Sequence, residues 1–128
     1  MSEKHWLVVQ YPLKSANGSK RDQWLKEKAM EYLETALTQH ELGEVDGCDI
    51  GSSVADPKKY VMNIFCVVTD EERGIALVKK VLRESRLDYT RILIATMPYG
   101  TEDSYTLKFA SQKGVTEFSL IISTTYTI

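Results

Sequence analysis

The sequence predicts an α+β fold: an antiparallel sheet carrying two helices on one face. Three observations predict it. Runs of strand composition alternate with segments of helical period in the order β-α-β-β-α-β. The composition is 43% apolar and 27% charged, as in globular rather than disordered chains. And a chain of 128 residues buries roughly two thirds of the surface it exposes when unfolded, enough for a core that needs no metal or disulfide.

The first strand is expected over His5 to Tyr11, where aromatic and β-branched residues run up to Pro12. Asn17-Gly18-Ser19 then supplies a turn and a candidate helix cap. From Ser19 to His40 the period changes. Leu25, Ala29, Tyr32, Leu33, Ala36 and Leu37 fall on one stripe, with Lys26, Glu27, Glu31 and Glu34 largely away from it. Gly43 is placed to stop this helix after a frayed last turn.

A glycine-rich second strand is expected over residues 43–51, followed by a polar turn with Pro57. Tyr60 to Thr69 is apolar on both faces, the pattern of a central strand. Thr69 and Glu72 have capping-box spacing, and Ile75, Val78 and Leu82, widened by Leu77 and Val81, make a second helical stripe. Lys79, Lys80, Arg83 and Arg86 crowd its C-terminal half, where the helix dipole favours cations. Arg91 to Met97 is a further strand, closed by Pro98. With right-handed crossovers this order is the ferredoxin-like βαββαβ arrangement, with the first and third strands central and the second on an edge. Tyr105 to Ala110 and Val115 to Tyr126 read as an added C-terminal β-hairpin. No linker divides the chain, so residues 1–128 are expected to form one domain, a βαββαβ core over 1–99 with a β extension over 100–128.

The totals also sort function classes. A net charge of −2 and a pI near 5.7 argue against nucleic acid as a partner, since its binders carry a basic excess that displaces counterions. Two cysteines, Cys48 and Cys66, without a secretory leader read as reduced thiols. No apolar run is long enough to span a membrane, so none is expected as a partner, and the expected compartment is the cytoplasm.

No catalytic, metal or cofactor motif is expected. The run Asp46-Gly47-Cys48-Asp49-Ile50-Gly51 lacks the alternating acids and distal glutamate of a calcium loop, and His5 and His40 lack the close pairing zinc requires. Carboxylates at 46 and 49 disfavour a Cys48 thiolate, and Cys66 reads as a small core residue. No serine sits in a nucleophile elbow, and His40 near a helix end is accounted for by the carbonyl dipoles. A hydrolase or transferase would need a large polar pocket holding paired acids or a His–acid pair. The third strand also lacks the basic, glycine-containing aromatic run of RNA-recognition domains that share this topology.

Two binding surfaces are expected instead. Residues 41–56 carry Glu41, Glu44, Asp46, Asp49 and Asp56 with no lysine or arginine, a local charge of −5, whereas residues 14–28 and 79–91 each carry +3. Acids on an edge strand defend it against edge-to-edge pairing. They also attract a basic partner, which makes Glu44, Asp46, Asp49 and Asp56 the candidate partner-binding residues. The alternative is a small-molecule or anion-binding regulator, with the ligand at Asn17, Ser19, Lys20 and Arg21 before the first helix.

The run Gly43-Glu44-Val45-Asp46-Gly47-Cys48-Asp49-Ile50-Gly51-Ser52, followed by Asn63-Ile64-Phe65 and the helix containing Ile75-Ala76-Leu77, resembles small bacterial α+β proteins. Some of these look like immunity proteins of toxin systems of the contact-dependent growth inhibition type. The resemblance covers about residues 43 to 82; the stretch after Gly100 has no counterpart in it. It implies a cytosolic, non-enzymatic protein that binds and neutralises one cognate toxin, often a nuclease, and carries over no catalytic residues. Nuclease toxins are basic because their substrate is anionic, so an acidic strip imitates that substrate.

Overall fold

A computed structural model describes residues 4–13, 19–52, 58–100 and 104–112. The elements run β1 (His5–Leu13), α1 (Lys20–Gln39), β2 (Gly43–Ser52), β3 (Tyr60–Val68), α2 (Glu71–Glu84), a short 3-10 turn (Tyr89–Arg91), β4 (Leu93–Pro98) and β5 (Thr106–Ala110). The strands form one antiparallel open sheet in the order β2-β3-β1-β4-β5. β1 and β3 lie inside and the glycine-rich β2 on an edge, as expected. β5 adds outside β4, so the full order differs from that of a four-stranded ferredoxin-like sheet. The second strand expected for the hairpin, Val115 to Tyr126, lies outside the described residues.

Strand alternation explains how both helices share one face. Leu7, Val9 and Tyr11 of β1, Met62, Ile64, Cys66 and Val68 of β3, and Ile94 of β4 pack into a single core with Leu25, Ala29, Leu33 and Leu37 of α1 and Val78 and Leu82 of α2. These are period-two positions on the strands and a narrow stripe on each helix. Tyr32, expected in that stripe, is 38% exposed, and with Ala36 it lines a groove of about 450 Å³ between α1 and α2. The opposite sheet face is closed at its centre as well: Val8, Asn63 and Ala95 have no exposed surface.

The helix ends correct two expectations. Ser19 caps α1 as expected, its hydroxyl accepting from the Asp22 amide while the Asp22 carboxylate accepts from the Ser19 amide. At the other end the stop comes at Glu41, not Gly43. Glu41 takes the left-handed conformation (φ 53°), and the amides of Glu41 and Leu42 donate to the carbonyls of Thr38 and Leu37, a Schellman closure. Gly43 is needed for a different reason: a Cβ there would lie 2.0 Å from the Val67 carbonyl oxygen on β3. In α2 the cap is Asp70 rather than Thr69; its carboxylate accepts from the Arg73 amide, while the Thr69 amide and hydroxyl both donate to Leu42. Arg91, expected to open the fourth strand, belongs to the 3-10 turn.

Among the described residues, no helix is long and apolar enough to cross a membrane.

Candidate acidic surface

The edge strand β2 is irregular where its charge is densest. Val45 pairs with Cys66 and Gly47 with Phe65, so Asp46 is the extra residue of a β-bulge. Glu44 and Asp46 flank Val45 and are exposed. The Val45 amide donates to Glu34 Oε1 at 2.8 Å, and the Thr38 hydroxyl donates to Glu34 Oε2 at 2.9 Å. The α1 carboxylate thus reaches the β2 backbone at a residue whose two chain neighbours are exposed acids.

This negative surface continues onto α1. Glu27, Glu31 and Glu34 recur at i, i+4 and i+7, one stripe of the helix, and all three are exposed, as is Glu41 beyond its end. Residues 27–46 thus present six acids against one lysine. Lys28 lies 3.7 Å from Glu31; among the described residues none of the other five acids is in an ion pair. The field of this surface reaches the core. Burial raises the Cys66 thiol to about 12, and Glu34 and Asp46 add to the rise.

Asp49 has a different setting from the other candidates. It stands directly opposite Asn63, which stands opposite Gln10, so the register lines up three polar side chains across β2, β3 and β1. Gln10 Nε2 donates to Asn63 Oδ1 at 2.9 Å, and Asn63 Nδ2 donates to Asp49 Oδ1 at 3.1 Å. Asp49 is only half exposed. Burial raises its pKa above the usual carboxylate value, with the Asn63 bond opposing the rise. It is thus a member of a hydrogen-bonded row rather than a free charge. Asp56 lies outside the described residues.

The alternative anion site is filled from within. The first-turn amide of Asp22 and the Ser19 amide are taken by the capping box, which puts the Asp22 carboxylate where an anion would sit. Arg21 is 2.8 Å from Asp88 and packs over Trp24 at 4.9 Å. Lys20 is exposed, and Asn17 lies outside the described residues. Of the candidate residues, Arg21 is thereby committed to Asp88, which Arg91 also approaches at 3.3 Å.

The thiols and histidines take structural places. Burial raises the Cys48 thiol to about 11 against the opposing effect of Lys26, so the thiolate that nucleophilic chemistry needs is scarce at neutral pH. His40 caps the C-terminus of α1. His5 does approach an acid: its Nε2 lies 4.0 Å from Glu71 Oε1. That carboxylate is already engaged, because the Thr96 hydroxyl donates to it at 2.6 Å and Lys108 Nζ lies 3.6 Å away. Together these contacts pin β1, β4 and β5 to the start of α2. No group of three or more metal-ligating side chains occurs among the described residues.

A basic region lies at the far end of the sheet. Lys79 sits over Phe109 at 4.2 Å and Arg83 over Tyr89 at 5.9 Å, with the two rings stacked at 5.6 Å. Lys108 is exposed on β5 itself and pairs with Glu71, whereas Lys80 lies on the other side of α2, lining a groove with His40 and Leu42. Since β2 and β5 are the two ends of the strand order, Lys79 and Lys108 are separated from the β2 acids by the width of the sheet.

Glu34 was the part of this surface that sequence reading missed. Its only local signal was a place off the core stripe; its partner lies 11 positions away on a strand whose bulge has no distinctive residue pattern. No protein-family model matches the chain, and no curated protein or solved structure shows significant similarity to it.

Proposed function

We propose that this chain is a non-enzymatic protein-binding domain whose acidic edge captures a basic protein. One observation carries the reading: Glu34, bonded to the Val45 amide, and the two acids that flank Val45, Glu44 and Asp46, are all exposed and unpaired with any base among the described residues. Like charges held together without counterions raise the local potential, and a cationic partner relieves that repulsion. The resemblance of residues 43–82 to immunity proteins makes the partner a bacterial toxin domain, with a nuclease the class whose basic substrate groove such a surface would imitate. In this reading the protein acts in the cytoplasm by blocking the toxin, and it needs no cofactor.

The test is capture from the native host with the tagged chain as bait, followed by kinetics on the captured protein. The Glu44→Lys/Asp46→Lys double variant is expected to slow association about tenfold at low salt, with the difference shrinking as salt is added. An unchanged association rate at low salt would reject the acidic edge as the binding surface.

A further inference from the structure

An edge strand offers outward-facing amides and carbonyls on which another strand can pair. On β2 the Val45 amide is such a group, and it is already occupied by the Glu34 side chain. The carboxylate is held from its other side by Thr38, one helical turn along α1, so both of its oxygens are engaged. Next to this contact Asp46 bulges out of register, which bends the strand away from the flat edge that pairing requires.

The geometry points to Glu34 as the residue that closes the β2 edge to strand addition at Val45, beside the bulge, leaving a partner to engage this stretch through its carboxylate side chains. The clause about a partner rests on the binding role proposed above; the closure of the edge does not. Reach and hydrogen-bond acceptance, rather than charge, are what the contact needs. A glutamine at this position keeps an oxygen at the same distance. An aspartate keeps the charge but is one methylene too short to span from α1 to the Val45 amide.

Three variants separate these terms: Glu34→Gln, Glu34→Asp and Glu34→Ala. Glu34 is exposed, so none of them disturbs the core, and the amides of Leu33 and Leu37 serve as internal references for an intact helix. Amide exchange at Val45 is read by NMR, and molecular mass against concentration by light scattering. Glu34→Gln is expected to match the parent on both. Glu34→Asp and Glu34→Ala are expected to exchange Val45 about fivefold faster, the equivalent of one net hydrogen bond, and to gain mass with concentration as opened edges pair. Unchanged exchange in Glu34→Ala would overturn the inference, as would Glu34→Gln behaving like Glu34→Ala. A freed Val45 amide with no gain in mass would overturn the closure of the edge. No partner enters these measurements, so they can fail while the acidic surface still binds, and the converse also holds.

Discussion

Tyr11 donates its hydroxyl to the carbonyl oxygen of Leu87 at 2.7 Å, joining residues 76 positions apart in the sequence. Tyr11 is fully buried on the helix face of β1, and burial, with the Asp88 charge adding to it, pushes its pKa far above the ordinary phenol value. The hydroxyl therefore stays protonated and ties the segment after α2 to the central strand. Tyr11→Phe should lower stability by about 1 kcal/mol, measured by urea unfolding, because the hydrogen bond is lost while the ring packing remains.

Two glycines of β2 should respond in opposite ways. At Gly43 a Cβ would lie 2.0 Å from the Val67 carbonyl oxygen and 2.9 Å from Val68 Cα, both backbone atoms that cannot move aside cheaply. Gly43→Ala should cost about 2 kcal/mol or more in thermal or urea unfolding. At Gly47 nothing lies within 4 Å of the added atom, and the backbone there is not left-handed. Gly47→Ala should be neutral or stabilise by about 0.5 kcal/mol, since alanine restricts the unfolded chain.

Asp49 and Glu71 should shape the pH dependence of stability with opposite signs. The Asp49 pKa is raised in the folded state, chiefly by burial, so the native protein holds that proton more tightly than the unfolded chain. Its contribution falls as pH rises through the carboxylate range. Asp49→Asn should therefore stabilise the protein at neutral pH and lose that advantage in acid. The Glu71 pKa is lowered, chiefly by the Thr96 hydrogen bond. Its contribution is present above the unfolded carboxylate pKa and is lost as pH falls through the lowered folded value. Glu71→Gln should destabilise at neutral pH, and the gap to the parent should narrow in acid. Urea midpoints across that range, at fixed salt, measure both.

The same contrast bears on binding. Because Asp49 is half buried and held by Asn63, Asp49→Asn should leave the salt dependence of partner capture unchanged, whereas Glu44→Lys/Asp46→Lys should flatten it. Association rates of the captured protein at several ionic strengths would show the difference.

These outcomes also mark how far the sequence alone could go. The core of α1 was legible because Leu25, Ala29, Leu33 and Leu37 repeat at helical spacing, and the edge position of β2 because a βαββαβ order with right-handed crossovers places the second strand there. The stop at Glu41 was not legible, since any residue can be forced left-handed when the following amides close on the helix, and a glycine two positions on drew the assignment. Within the acidic run, periodicity could not tell Asp49 from Asp46. Their difference comes from strand register: Asn63 stands opposite one and the bulge frees the other. Register is a relation between distant segments, and no local pattern encodes it.

The two charged ends of the sheet have a practical consequence in solution. With Glu34, Glu44 and Asp46 at one end and Lys79, Arg83 and Lys108 toward the other, the described residues give the molecule a charge asymmetry that its net charge of −2 conceals. An ion-exchange resin touches one side of a protein at a time. The chain should therefore be retained on an anion exchanger at neutral pH more firmly than other proteins of equal net charge, adsorbed through its β2 end.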